Sequence, residues 1–174
     1  MNQPSFSSRR ILRPVSPWFI AFSLLCALLV NLMPLGRAFW LPDWLALVLC
    51  FWCVREPLRV GMGTAFALGI VMDVGYGSLM GQHALAYVLL AYAATTFSRR
   101  VLWFGPLRQS LHVLPMLVGA QTVMLLVRLV ADAEFPGLIY FAGALIATLL
   151  WYPVGILLLL PQYRPEEKDE NRPI

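Results

Sequence analysis

The chain has 174 residues, 60% of them hydrophobic and 13% charged, with a mean hydropathy of +0.73, which excludes an ordinary soluble domain and indicates an integral membrane protein. Its net charge of +4 is carried in small basic groups beside apolar runs, where it reads as a topology signal and not as a surface for nucleic acid. The polar stretches between those runs are too short to hold a second, soluble domain.

Arg9, Arg10 and Arg13 precede a first apolar segment, Trp18 to Leu35. That segment is longer than a signal-peptide core and lacks a small-x-small cleavage site before Arg37, so it reads as a retained first span. Five more follow: Pro42 to Val54, Val60 to Val74, His83 to Phe97, Leu111 to Ala131 and Gly137 to Leu160. The first, fifth and sixth reach the ~20 residues that a bilayer-crossing helix needs. The second, third and fourth are short, and either borrow flanking residues or cross where the protein thins the bilayer.

Basic residues test the count independently. With six spans and the N-terminus inside, the cytoplasmic segments hold Arg9, Arg10, Arg13, Arg55, Arg59, Arg99, Arg100, Arg108, Arg164, Lys168 and Arg172, and only Arg37 and Arg128 fall on or near the far side. This is the bias of the positive-inside rule. The expected layout is a bundle of about six transmembrane helices, N-in and C-in. Residues 1–16 form a cytoplasmic basic N-terminus, 17–161 a membrane domain, and 162–174 a cytoplasmic charged tail that reads as disordered.

Between the first two spans Trp40 and Trp44 are expected in the interfacial belt. On the inner side Arg55-Glu56-Pro57-Leu58-Arg59 reads as a tight turn, its proline stopping the second helix. Cys26, Cys50 and Cys53 all lie in apolar segments and read as small hydrophobes; Cys50-x-x-Cys53 has no second pair of ligands to make a metal or redox site.

The third segment sets Gly61, Ala65, Gly69, Asp73, Gly77 and Gly81 at a repeat of four. Positions four apart share a helix face, so Gly61, Ala65, Gly69 and Asp73 are expected to form a narrow stripe for helix packing that ends in a carboxylate. Asp73 lies roughly 20 Å along a helix begun at Val60, in the outer half of a ~30 Å core. Two readings stand for it: a cap on a glycine turn, wetted from outside, or a specific structural or partner-binding pairing. Val74 to His83 is rich in glycine and reads as a tight turn across which His83 can meet Asp73.

The segment from Ser98 to His112 carries three arginines and is expected either to meet anionic lipid headgroups or to dock a cytoplasmic partner. Arg128 and Asp132 are four apart and are expected to pair along the fifth helix. Pro153 is expected to bend the sixth. No Walker loop, G-x-S-x-G elbow, H-E-x-x-H or paired C-x-x-C motif occurs, so a non-enzymatic protein without metal or cofactor is expected.

Phe66, Gly69, Asp73, Gly77 and Gly81 at their spacing, followed by Ala84, Leu85 and Tyr92, and a last span with Trp151 and Pro153, resemble the rod shape-determining protein MreD family. The likeness covers essentially the whole chain. It implies an inner-membrane subunit of the bacterial elongation machinery, associated with MreC and, with it, with MreB, the RodA glycosyltransferase and a class B penicillin-binding protein, besides membrane lipids. Helix-packing or partner-binding roles then fall on Gly61, Ala65, Phe66, Gly69, Asp73, Gly77, Gly81 and His83. The family is also similar in fold to the substrate-binding subunits of energy-coupling-factor transporters, so binding of a vitamin-like small molecule is the alternative expectation.

Overall fold

A computed structural model describes residues 15–33, 41–132 and 134–162. Six α-helices run through them: α1 Pro17–Leu32, α2 Trp44–Arg55, α3 Met62–Tyr76, α4 Gln82–Trp103, α5 Pro106–Val130 and α6 Ala142–Leu159. A 3-10 turn, Leu138–Phe141, leads into α6 and another, Leu160–Gln162, follows it. No strand occurs among the described residues. Pro17 and Pro106 open α1 and α5, where a missing N–H is no loss and the fixed φ suits the helix.

Each expected apolar segment contains one helix, with two informative differences in length. The first helix stops at Leu32 because Pro34 follows, and the residue before a proline is driven out of the α region; Met33 has φ −62° and ψ 138°. The fourth continues past Phe97 to Trp103. Ser98 is buried there while Arg99 and Arg100 are exposed, so the basic pair marks the outer face of a continuing helix and not its end. Two stretches, Pro106–Val130 and Leu138–Gln162, are long and apolar enough to cross a membrane.

The shortest helix is the centre. Leu45 to Val54 of α2 are all buried, and α1, α4, α5 and α6 all pack against it. A helix that is apolar all round is one that is enclosed. At 12 residues it measures only ~18 Å, and with protein rather than lipid around it nothing requires it to match a bilayer. Trp52 is fully buried, its indole N–H donating to Ser23 Oγ at 2.8 Å. Phe19 and Phe51 meet the indole edge-on, and Phe51 leans on Trp151 with centroids 5.7 Å apart. Cys50 and Cys53 are free, fully buried thiols in this core.

The outside is apolar. Phe22, Leu25, Leu149 and Leu157 are among many large hydrophobic side chains more than half exposed, a surface suited to lipid and not to water. Trp44 is half-buried and packs on the core; Trp40 and Arg37 lie outside the described residues, as does the tail.

The turn after α2 closes as expected. Glu56 caps α2, and its carbonyl accepts from the N–H groups of Arg59 and Val60 at 2.9 and 3.0 Å. The Arg59 guanidinium donates to the Val15 carbonyl, tying the turn to the start of α1. One expectation needs correction. α5 ends at Val130 and Asp132 takes a left-handed φ of 57°, so no helical face continues from Arg128 to Asp132. Pro153 lies inside α6, which spans Ala142–Leu159.

Candidate functional site: a buried polar layer

The α3 and α4 helices form a hairpin whose backbones touch. A Cβ on Gly69 would lie 2.6 Å from Ala84 N and 2.9 Å from the His83 carbonyl carbon. Ala65, one turn earlier, is fully buried, as is Asp73 at 1% exposure. The expected stripe is therefore shorter than its sequence repeat. Gly61 is the N-cap of α3, and a Cβ there would meet only Pro57 O at 3.9 Å. Phe66 points outward, 54% exposed.

Gly77 and Gly81 belong to the repeat in sequence but not in packing. They take φ of 59° and 101°, with open space where a Cβ would go. What they supply is left-handed backbone, first to end α3 and then to begin α4, which a residue with a Cβ adopts only at a cost.

Asp73 sits in the last turn of α3 and is spent on the start of α4. Its Oδ1 accepts from Ser78 Oγ at 2.9 Å, His83 N at 2.9 Å and His83 Nδ1 at 2.8 Å. Its Oδ2 accepts from Gly81 N at 2.8 Å and Ala84 N at 3.4 Å. A helix begins with N–H groups that lack helical partners and with a positive dipole end. The N-cap of α4 is a glycine, with no side chain to serve them, so an acid from the neighbouring helix does so. Because an ionised carboxylate only accepts, the bond to Nδ1 fixes the tautomer of His83 with its proton on that nitrogen. The imidazole is stacked on Tyr76, centroids 5.6 Å apart, and meets Tyr87 edge-on.

A second acid does the same for α2. Asp43 is its N-cap, accepting from Ala46 N at 2.9 Å. Asn31 of α1 donates to Asp43 Oδ1 at 2.7 Å and accepts from Trp44 N at 3.0 Å. Tyr87 of α4 donates to Asp43 Oδ2 at 2.7 Å, and Tyr76 of α3 donates to the Asn31 carbonyl at 2.6 Å. One end of the bundle thus carries a polar layer in which four helices are cross-linked and the helix starts of α2 and α4 are both capped by carboxylates. In lipid, where water does not reach, such internal satisfaction is obligatory.

Asp73 and His83 were expected to meet, and they do. Asn31, Asp43, Tyr76 and Tyr87 were not anticipated. Their signals were present but local: Asn31 is a carboxamide inside the first apolar segment, and Asp43 is an acid immediately before the second helix, the preferred place for an N-cap. Their convergence depends on the fold.

This layer leaves little space for a ligand. The cavity beside Asp43, bounded by Gln121 and Gly143, measures about 10 Å³, room for about one water. Among the described residues no three of His, Cys, Asp and Glu gather where they could hold a metal ion.

Residues 9–160 match the profile of the family described as rod shape-determining protein MreD. The chain belongs to the MreD family. It is also 30% identical over 153 residues to the rod shape-determining protein MreD of Haemophilus influenzae, covering 84% of this chain and 92% of that protein. No solved structure matches. Rod shape determination by a membrane-associated protein is the role this membership gives. The residues of the central motif that carry the MreD resemblance divide structurally into those that close the hairpin (Gly69, Asp73, Ala84), those that shape its turn (Gly77, Gly81) and those that face outward (Phe66, Leu85, Tyr92).

The layer makes one direct prediction. Tyr87→Phe removes a buried hydrogen bond to a carboxylate without changing shape, and should cost about 1.5–3 kcal/mol, read as a lowered thermal midpoint in mild detergent. An unchanged midpoint would mean that Asp43 does not depend on this donor.

Proposed function

We propose that the protein is a non-enzymatic scaffold of the bacterial inner membrane, six-spanning with both termini cytoplasmic. It links MreC and MreB to the RodA glycosyltransferase and a class B penicillin-binding protein of the elongation machinery. The observation that carries this reading is the use of Asp73: every oxygen of the acid in the central motif is occupied by donors of its own hairpin, which makes it a fastening and not a reactive group. In this orientation the polar layer lies at the periplasmic end, rigidifying the side that MreC, a periplasmic single-span protein, would meet. A vitamin-binding role finds no support in the polar layer around the central motif, where the cavity beside Asp43 is about 10 Å³.

The outward face of the hairpin, with Phe66, Leu85, Leu89 and Tyr92 all exposed, is the surface offered to a partner helix. Affinity purification from mild detergent tests this. MreC is expected to co-elute with the unaltered protein and to be reduced by Phe66→Ala combined with Tyr92→Ala, at unchanged thermal midpoint. Absence of MreC from the unaltered sample, or full retention with normal rod shape in the double variant, would sink this assignment.

A further inference from the structure

Away from the capped end, toward the C-terminus of α4, a groove of about 410 Å³ lies between α4 and α5. This is within the ~300–1,000 Å³ typical of ligand clefts. Ala93 and Phe97 of α4 and Leu111 and Met116 of α5 give it apolar walls, and Arg100 and His112 are its polar members.

Three features select the chemistry of an occupant. First, Arg99, Arg100 and Arg108 are all exposed, and neither ion pair among the described residues involves them, so the positive charge here is not neutralised by the described part of the chain. Second, Trp103 is 88% exposed beside them. An exposed tryptophan next to arginines is the composition of the headgroup level of a membrane, which places the apolar part of the groove at acyl-chain depth. Third, the His112 ring is held in place, stacked on Phe104 with centroids 4.5 Å apart and with Nδ1 3.1 Å from the Arg108 carbonyl. Its remaining polar atom is Nε2. Pro115 also lines the groove.

We propose that this groove binds one anionic phospholipid, its phosphate held by Arg100 with the His112 ring beside it, and an acyl chain lying along Ala93, Phe97 and Met116. The match of a cationic group to an apolar channel of one continuous volume favours a lipid over a soluble anion, which has no use for the channel. The inference is independent of the scaffold reading above.

The test uses the full chain in non-ionic detergent. Titration with phosphatidylglycerol should raise the thermal midpoint saturably, as a ligand of the folded state does, and phosphatidylcholine of the same chain length should not. Intact-protein mass spectrometry should show one retained phosphatidylglycerol. Arg100→Gln with His112→Gln should raise the half-saturating lipid concentration at least about fivefold, from the loss of the Arg100 charge. Ala93→Phe and, separately, Met116→Trp keep every charge but fill the groove, and should abolish the shift; two such variants guard against one failing to fold. Equal shifts with both lipids would overturn the proposal. So would retained binding in a folded groove-filled variant, which leaves surface electrostatics alone. A shift produced by inorganic phosphate, or by a peptide of residues 163–174 with its four acidic side chains, would assign the groove to another occupant and equally overturn it.

Discussion

Replacing Gly69 with leucine is expected to cost at least about 3 kcal/mol, the upper end of the range for overpacking, and to open the α3–α4 hairpin. The reason is what the new side chain would strike. At Gly69 even a Cβ falls on the backbone of Ala84 and His83, which cannot rotate aside. At Gly75 a Cβ would meet the end of the Leu32 side chain, which can. At Gly63 it meets nothing within 4 Å, so Gly63→Ala should stabilise by about 0.5–1 kcal/mol through helix propensity alone. Thermal unfolding of the three variants Gly63→Ala, Gly75→Ala and Gly69→Leu in one detergent should rank them in that order. A Gly69→Leu protein as stable as the parent would show that the hairpin does not close as described.

Asp73→Asn should cost about 2–6 kcal/mol. Asparagine keeps one acceptor oxygen but turns an NH₂ toward N–H or O–H donors, so at least two buried donors lose their partner, at about 1–3 kcal/mol each. His83→Ala removes one donor from a carboxylate that keeps four others, and is expected to cost less than half as much. The pair of variants separates the two readings of the acid. Loss of stability parallel to loss of rod shape marks a structural fastening. Asp73→Asn with parental stability but no complementation of a shape-defective strain would mean that the carboxylate acts on a partner.

How much of this was legible in the sequence follows from the range of each interaction. Hydropathy located all six helices, because an apolar helix stays apolar whatever surrounds it. It misjudged ends where a single local rule intervened, as at Pro34, or where a helix continued under an arginine-bearing face, as at Arg99 and Arg100. The meeting of Asp73 with His83 was predictable since only a glycine turn separates them. The partnership of Asp43 with Tyr87, 44 residues apart, was not, since nothing local relates them.

The motif from Gly61 to His83 shows the same division. Its sequence alone determined that a small-residue helix, a glycine turn and an acid lie together, because spacing of four and the need for left-handed backbone are properties of the chain itself. Only the tertiary structure decided that Ala65, Gly69 and Asp73 pack while Gly61 does not and Gly77 and Gly81 shape the turn. It also decided that the 12-residue α2 is the centre of the bundle. Enclosure depends on what the neighbouring helices cover, and an apolar run reads alike whether lipid or protein surrounds it.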